Sequence, residues 1–250
     1  MRVGFIGTGE IAAAMVEGLS GRGHELLLSE RNAQVAATLK GQFADVQVAA
    51  NADVVAGSDV VFLCLMADVA RDVLIALPWR ADHSVISVMV DVPLADLARL
   101  CAPAHDIALT IPLSAVAVGG SVLPCHPESR ALIELFGESD TIINVPSEAG
   151  LNAHFAASAL SAPLLTLMQT GSQWLADQTG DPQGAETYVA GVFAGFLRQM
   201  SEQGADFDQL LQSLATEGGL NATLKEDMAH AGAPDALRAG LNNLKPRLGI

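Results

Sequence analysis

The chain has 250 residues, of which half are hydrophobic and only 4% aromatic, and its formal net charge at pH 7 is −15. That length is enough for one large or two modest domains, each with a hydrophobic core. The negative charge argues against nucleic acid and anionic membrane surfaces as partners, because both are bound through basic patches. The charge mainly favours solubility and does not predict the substrate.

The chain opens with a strand and a glycine-rich turn. The apolar segment Val3–Ile6 leads into the pattern G-x-G-x-x-A, in which Gly7 permits a tight turn and Gly9 lets the backbone approach a pyrophosphate. Ala12 then allows a helix to pack closely on the strand, and the free N–H groups at the start of that helix attract phosphates. The pattern predicts a dinucleotide-binding unit with cofactor contacts from Gly7, Thr8, Gly9, Glu10 and Ile11.

The end of the second predicted strand, Glu25–Ser29, bears on the choice of cofactor. Glu30 lies about 20 residues past the glycines, where this fold places the residue that reads the ribose. A carboxylate there favours NAD, whereas Ser29, Arg31 and Asn32 favour the 2′-phosphate of NADP. We expect NADP as the cofactor, with NAD as the alternative and with contacts from Ser29, Arg31 and Asn32.

Short apolar segments alternate with helical ones as far as residue 145. This alternation indicates a parallel sheet that is covered by helices on both faces. The segment 111–126 contains several prolines and glycines and is predicted as loops. Further strands are predicted at Val46–Val48, Val60–Cys64, Val85–Val90, Ile107–Thr110 and Thr141–Val145. Helices are predicted at Ile11–Ser20, Gln34–Gly41, Val69–Leu77, Leu94–Leu100 and Ser129–Phe136.

From Pro146 onward the sequence pattern is helical. The segment Glu148–Gln178 is long enough for one extended helix, which Pro163 should kink. Apolar residues occupy more than one face of the next helix, which predicts burial against another subunit. After the extended helix, helices are predicted at Ala185–Glu202, Phe207–Thr216, Leu220–Ala231 and Pro234–Leu244.

The predicted fold class is therefore α/β. Residues 1–145 form a Rossmann-type doubly wound, mostly parallel sheet, and residues 146–250 form an all-helical dimerisation and substrate domain. We expect a homodimer, with a higher oligomer as the alternative. Cys64, Cys101 and Cys125 occur singly, which fits a reducing cytoplasm and gives no spacing for a metal site. Apolar runs fall short of the roughly 18 residues of a membrane span, so no membrane is expected.

The chain resembles the pyrroline-5-carboxylate reductase family in four places. Its opening, Gly4–Ala12, is close to the family's first turn, and Asn51 matches an asparagine that lies near the cofactor ribose in that family. Pro163 is similar to the proline of the family's S-G-S-G-P segment in the long helix. Thr216–Asn221 resembles the S/T-P-G-G-x-T loop that holds the substrate carboxylate.

Several positions depart from the family pattern. Leu65-Met66-Ala67 stands where the family usually has V-K-P, and Leu109–Leu113 lacks the Arg and Asn of R-x-M-P-N. Leu160 and Ala162 replace the two glycines of the long-helix segment. In the carboxylate loop Glu217 replaces proline, and Asn221 replaces the last threonine. These departures indicate a divergent, reductase-like relative and not an orthodox enzyme of proline biosynthesis. They leave the identity of the substrate open.

The resemblance implies further site residues. The cofactor contacts extend to Asn51, Leu65 and Met66. Gly218, Gly219 and Leu220 are predicted to bind the substrate, because the N–H groups of a Gly-Gly turn at a helix start can hold a carboxylate. Ser161, Thr216 and Asn221 are the predicted catalytic residues; His154 and Ser158 share the helix face of Ser161 and are alternatives.

The resemblance implies an NAD(P)H-dependent reductase. Hydride transfer to a C=N or C=O bond asks the protein mainly to position cofactor and substrate. The predicted substrate is a small cyclic imine or keto compound that carries a carboxylate. Two alternatives stay open: a hydroxy-acid dehydrogenase with the same nucleotide domain, and a regulatory protein that binds the dinucleotide without turnover. The absence of lysine between Lys40 and Lys225 counts against the dehydrogenase.

Overall fold

The computed structural model describes residues 1–204 and 206–250, which form two compact units. The first unit comprises residues 1–155 together with the C-terminal residues 246–250, and the second comprises residues 156–245. This division lies ten residues beyond the boundary predicted at residue 145. The reason is that Leu151 is fully buried in the core of the first unit and Phe155 packs against that core.

The first unit is built on an eight-stranded sheet with the order β3-β2-β1-β4-β5-β6-β7-β8. Neighbouring strands are parallel except for β6 and β7, which are antiparallel. The predicted doubly wound, mostly parallel sheet is therefore confirmed. The strands are β1 (Arg2–Ile6), β2 (Glu25–Ser29), β3 (Val46–Ala49), β4 (Val60–Leu63), β5 (Ser84–Ser87), β6 (Asp106–Thr110), β7 (Val122–His126) and β8 (Thr141–Asn144).

Helices cover both faces of this sheet, so each face has its own hydrophobic core. Side chains alternate along the strands: Phe5 and Phe62 lie in one core, where their rings stack 5.1 Å apart, while Ile6 lies in the other. The helices are α1 (Glu10–Leu19), α2 (Ala33–Gln42), α3 (Asn51–Gly57), α4 (Ala67–Leu74), α5 (Leu94–Leu100), α6 (Arg130–Phe136) and α7 (Glu148–Ser158).

Two elements of the first unit differ from the prediction. Strand β7 lies within the segment predicted as loops, since Pro124 weakens the strand pattern. The strand tolerates this proline because it pairs with β6 at only two positions, Leu109–His126 and Thr110–Cys125. Helix α3 was not predicted, because its seven residues are too few to establish a helical period.

The second unit is helical, as predicted. It contains α8 (Ser161–Thr179), α9 (Pro182–Gln203), α10 (Phe207–Leu214), α11 (Leu220–His230) and most of α12 (Ala233–Leu248). The predicted extended helix is divided, since α7 ends at Ser158 and α8 begins at Ser161. Pro163 explains the break: a proline ring clashes with the carbonyl group four residues earlier, but it is tolerated in the first turn of a helix.

Candidate functional site

The predicted cofactor residues of four strands meet at one edge of the sheet. Strand β1 pairs with β2 and β4, and β2 pairs with β3, all in parallel, so their carboxyl ends lie side by side. The turn at Gly7 follows β1, Ser29 ends β2 and Glu30–Asn32 follow it, Asn51 follows β3, and Leu65 with Met66 follows β4. In open α/β sheets, ligands bind outside the carboxyl ends of the strands.

Gly7 is required by the geometry of the turn. Its φ of +98° is rarely adopted by residues with a side chain, and a Cβ atom would lie only 2.4 Å from the carbonyl oxygen of Cys64. Its backbone N–H donates a hydrogen bond of 2.8 Å to the Ser29 hydroxyl oxygen. The turn is therefore fixed from β2 and from β4 at once.

Gly9 fills a different role, because its backbone is not strained. Its φ is −85°, and an added Cβ atom would find no heavy atom within 4 Å. The residue stands immediately before α1, and no side chain caps the free N–H groups of that helix. The absence of a Cβ atom leaves this helix start open, which fits the approach of a pyrophosphate.

Ser29 supports the turn, which corrects its predicted role as a ligand of the 2′-phosphate. The residue is fully buried and its hydroxyl oxygen accepts the hydrogen bond from Gly7. Thr8 is also buried; its hydroxyl donates to the Ser29 carbonyl oxygen at 3.3 Å and accepts from the backbone N–H of Asn32 at 3.4 Å. These bonds form a network beneath the candidate cofactor site.

Glu30 and Arg31 are exposed beyond the end of β2. Within the part of the chain that the structure describes, neither forms a salt bridge. Asn32 caps α2, where its side-chain oxygen accepts from the backbone N–H of Val35 at 3.5 Å. Of the polar residues predicted to face a 2′-phosphate, Arg31 is thus the one with an exposed and unpaired charge.

The remaining predicted cofactor residues flank the turn. Asn51 is half-buried and begins α3. Leu65 reaches the glycine turn, since its Cδ2 atom would lie 3.3 Å from a Cβ atom on Gly7. Met66 precedes α4 and is 74% exposed.

The cysteines supply no reactive thiolate to this site. Burial raises the pKa of Cys64 beyond its usual range, that of Cys101 to about 12 and that of Cys125 to about 11. A protonated thiol is a poor nucleophile and a poor metal ligand.

In the second unit, the structure gathers five predicted residues into a tight turn between α10 and α11. Gly218 has a φ of +72°, and the backbone N–H of Gly219 donates to the Thr216 carbonyl oxygen at 2.9 Å. A Cβ atom on Gly219 would lie 2.8 Å from the Thr216 hydroxyl oxygen. The Asn221 side-chain amide donates to the Leu214 carbonyl oxygen at 3.3 Å and so ties the turn to α10.

This turn leaves the start of α11 open. Gly219 stands immediately before the helix, no side chain caps its first N–H groups, and Leu220 is 92% exposed. Such a helix start binds carboxylates and phosphates. Glu217 is exposed in the same turn, and its negative charge would oppose an anion that came close to its carboxylate.

Ser161 and its neighbours on the helix face make local hydrogen bonds. The Ser161 hydroxyl donates to the Ser158 carbonyl oxygen at 2.9 Å at the start of α8. The Nδ1 atom of His154 lies 2.8 Å from the Gly150 carbonyl oxygen, one helical turn earlier. The catalytic role of Ser161 therefore stays a prediction.

Sequence reasoning missed a pair of charged residues near the carboxyl ends of the strands in the first unit. Asp91 follows β5 and forms a salt bridge with Arg247, at 3.2 Å between Oδ2 and Nη2. The two residues are 156 positions apart in the sequence, so no local pattern connects them.

Comparison with known proteins supports this assignment of the cofactor edge. Residues 2–91 match the family model described as NADP oxidoreductase coenzyme F420-dependent. The chain is 32% identical over 101 residues to the pyrroline-5-carboxylate reductase of Pseudomonas aeruginosa. That alignment spans 38% of this chain and 37% of the relative, so it covers little more than a third of either.

Solved structures extend the similarity to the whole chain, at the level of fold. The 1-pyrroline-5-carboxylate reductase of Streptococcus pyogenes matches with a TM-score of 0.84 and 17% identity, over 100% of this chain and 99% of that one. The pyrroline carboxylate reductase of Plasmodium falciparum, solved with NADP bound, matches with a TM-score of 0.79 and 14% identity, over 99% and 98%. A reductive aminase from Aspergillus terreus, solved with NADPH4, cyclohexanone and allyl amine, matches with a TM-score of 0.64 and 16% identity, over 98% and 91%. The predicted resemblance is thereby supported: the chain is similar in sequence to a pyrroline-5-carboxylate reductase over about a third of its length, and it shares the fold of such reductases along its whole length.

Proposed function

We propose that the chain is an NADPH-dependent reductase that transfers a hydride to the C=N or C=O bond of a small cyclic imine or keto compound bearing a carboxylate. The observation that carries the proposal is the turn at Gly7 and Gly9. The backbone geometry of the turn requires glycine at position 7, and the absence of a side chain at position 9 leaves the start of α1 open. The similarity to pyrroline-5-carboxylate reductases then favours an imine as the group that is reduced.

The cofactor end of the site is assigned to the first unit. A nicotinamide cofactor supplies the hydride, and the protein's part is to hold and orient it. The open start of α1 would bind the pyrophosphate, and the unpaired guanidinium of Arg31 would bind a 2′-phosphate. Asn51, Leu65 and Met66 would contact the rest of the dinucleotide.

The substrate end is assigned to the turn before α11. The free N–H groups at Leu220 and Asn221 would hold the substrate carboxylate, and the Thr216 hydroxyl is a further donor close to them. Glu217 then serves as a specificity residue, because its negative charge discriminates against substrates with a second anionic group on that side.

We also propose that the second unit forms a homodimer. Among its described side chains the buried ones are few and small: Ala156, Ser172 and Ala185. Large apolar side chains are exposed instead, among them Trp174 at 65% and Leu197 at 57%. Large exposed apolar surfaces mark interaction sites, and a second copy of this unit would offer a matching surface.

A membrane is the competing explanation for this exposed surface. The segment Glu148–Thr179 is long and apolar enough to cross a membrane, but the same holds for core helices of soluble proteins. The segment is divided between α7 and α8, and the exposed apolar residues continue into α9 with Tyr188 and Phe193. We therefore favour the second copy.

The experiment that tests the proposed activity is NADPH and NADH oxidation with pyrroline-5-carboxylate, related cyclic imines and 2-keto acids. Turnover on pyrroline-5-carboxylate would show that Glu217 and Asn221 are tolerated variants of the family's carboxylate loop. Turnover on other compounds alone would make these two residues the specificity determinants. Failure of every compound, with NADPH still bound, would contradict the proposal.

A dinucleotide-binding protein without turnover is the second candidate. The observation that favours it is the replacement of the family's Arg and Asn near Pro112 by Leu109 and Leu113. Leu109 is buried in the core of the first unit and offers no polar group to a substrate.

A further inference from the structure

The loop that follows β5 contains an unusual backbone conformation. Among residues 1–204 and 206–250, Asp91 is the one non-glycine residue with a positive φ, at 68°. This left-handed region is costly for residues with a side chain, although aspartate tolerates it better than most. Backbone strain of this kind persists where neighbouring contacts hold it, often next to functional sites.

The C-terminal residues supply those contacts. The Arg247 guanidinium donates to the Oδ2 atom of Asp91 from Nη2 at 3.2 Å and from Nε at 3.4 Å. One residue further on, the Leu248 carbonyl oxygen accepts from the side-chain amide of Asn152 on α7 at 2.9 Å. The C-terminal segment, residues 246–250, is therefore bound to the β5–α5 loop on one side and to α7 on the other.

A second contact ties the same loop to α7. The Oε1 atom of Glu148 accepts from the backbone N–H of Leu94 at 3.1 Å, at the start of α5. The loop is thus bound at Asp91 by Arg247 and at Leu94 by Glu148. Both partners are distant from the loop in sequence.

These contacts enclose a cavity of about 290 Å³ in the first unit. Its walls are apolar at Met89, Leu109 and Phe155 and charged at Asp91, Glu148 and Arg247. The volume is close to the lower limit for small-molecule sites, about 300 Å³. Because Leu63 on β4 pairs with Ser87 on β5, the cavity lies one strand along from the predicted cofactor residues Leu65 and Met66.

We propose that residues 246–250 act as a latch that holds the β5–α5 loop in place, and that Asp91 and Arg247 are its positioning residues. The latch keeps open this cavity of the first unit, beside the cofactor edge, and thereby affects the affinity for the substrate. This proposal rests on the proposed reductase function for its substrate, but its contacts belong to the protein itself.

The ion pair of the latch is partly exposed to solvent. The side chain of Arg247 is 72% exposed and that of Asp91 is 35% exposed. Salt bridges of this kind are weak and are screened by salt. We therefore expect the pair to affect substrate affinity by a small factor and to leave the folded state intact.

The test compares Arg247→Ala and Asp91→Asn with the wild-type protein, and Arg238→Ala serves as the control because Arg238 is exposed on the same helix but outside the latch. Both latch variants should raise KM for the imine or keto substrate by about two- to fivefold, with a smaller change in kcat. The double variant should be no worse than either single one, and Arg247→Lys should recover part of the loss.

Salt provides a readout that a general structural defect would not move. In about 1 M sodium chloride the Debye length falls to about 3 Å, so the KM ratio between Arg247→Ala and wild type should approach one. A ratio that stays constant with salt would overturn the role of the ion pair.

Hydrogen exchange separates the latch from the proposed activity. In the cofactor-free protein, Arg247→Ala should speed the exchange of the backbone amides of residues 88–92 and 94, and Arg238→Ala should not. Faster exchange in a protein that reduces no imine would support the latch and reject the proposed function. Unchanged exchange and unchanged KM in an active protein would reject the latch and leave the function standing.

Discussion

At the scale of single residues, the two glycines of the first turn should respond differently to the same substitution. Gly7→Ala places a Cβ atom 2.4 Å from the Cys64 carbonyl oxygen in a backbone with φ of +98°. We expect it to lower the free energy of unfolding by about 1 to 3 kcal/mol and to abolish NADPH binding. Thermal unfolding and an NADPH binding titration measure the two effects.

Gly9→Ala is the matched variant for this prediction. Its Cβ atom meets no heavy atom of the protein within 4 Å, so the melting temperature should stay close to that of the wild type. NADPH binding should weaken strongly, because the added methyl group occupies the space through which a pyrophosphate would reach the start of α1. Undiminished NADPH affinity in Gly9→Ala would contradict the assignment of the cofactor site.

Arg31 should determine the choice between NADPH and NADH. Arg31→Ala removes the unpaired guanidinium beyond β2 and should reduce the ratio of kcat/KM for NADPH to that for NADH about tenfold, since a hydrogen bond to a charged group contributes roughly 1.5 kcal/mol. Lys40→Ala is the control, because Lys40 is an exposed cation at the far end of α2. An unchanged ratio in Arg31→Ala would leave Glu30 as the deciding residue and favour NAD.

The sequence predicts the glycine turn of the candidate site, because a local pattern marks it. Gly7 and Gly9 follow from their spacing after an apolar strand, and the structure gives each a geometric reason. Ser29 shows the limit, because its position was anticipated but its burial beneath the turn was not. Asp91 and Arg247 lie beyond prediction, since their ion pair depends on how the chain returns to β5 after 156 residues.

At the scale of elements, the buried parallel strands are the most predictable feature. Their runs of valine, leucine and isoleucine follow from burial on both faces of the sheet. Strand β7 is not predictable in the same way, because Pro124 and two flanking loops disturb its apolar pattern. Its pairing with β8 does not follow from the sequence either, because no local pattern sets the register of the two strands.

A buried histidine at the amino edge of the sheet predicts that the stability of the fold depends on pH. His83 precedes β5 and is fully buried; its Nδ1 atom accepts from the backbone N–H of Arg80, and no described residue bonds its Nε2 atom. Burial lowers the pKa of His83, and the positive charge of Arg80 lowers it further against the weaker opposing effect of Asp82. The unfolded chain therefore binds a proton more readily than the folded one.

The sign of this effect is a loss of stability in acid. The contribution of His83 is fully present above its ordinary pKa of 6.5 and falls as the pH is lowered from there towards its depressed folded pKa. We expect the melting temperature to fall across that window and His83→Asn, which retains an acceptor for Arg80, to flatten the fall. His24, whose pKa burial also lowers, adds to the same trend.

The exposed His105 offers the control for this measurement. His105→Asn should leave the pH profile of the melting temperature unchanged. A profile in His83→Asn that remains as steep as in the wild type would show that another group causes the acid sensitivity.

At the scale of the whole molecule, the exposed apolar side chains of the second unit predict a dimer. Sedimentation velocity at micromolar concentration should give twice the mass of the chain. Leu197→Glu should shift the protein towards the monomer, because the residue is exposed in the single chain and its charge is buried only if a partner covers it. Val118→Glu, at an exposed position of the first unit, should leave the dimer intact.

A monomer at all concentrations in the wild type would contradict the dimer, and binding to neutral lipid vesicles would favour the membrane explanation instead. The fold class and the division into a nucleotide-binding part and a helical part follow from the sequence, because the period of the apolar residues changes near residue 146. What covers the helices does not follow, since an exposed apolar face identifies no partner by itself.

The proposed function is the transfer of a hydride from NADPH to the C=N or C=O bond of a small imine or keto compound. The most direct measurement uses NADPH that carries deuterium at both C4 positions of the nicotinamide, with pyrroline-5-carboxylate, other cyclic imines and 2-keto acids as acceptors, and analyses the product by mass spectrometry. We expect one deuterium at the carbon of the former C=N or C=O bond and no transfer by Gly9→Ala. A protein that binds NADPH but delivers no deuterium to any acceptor would contradict it.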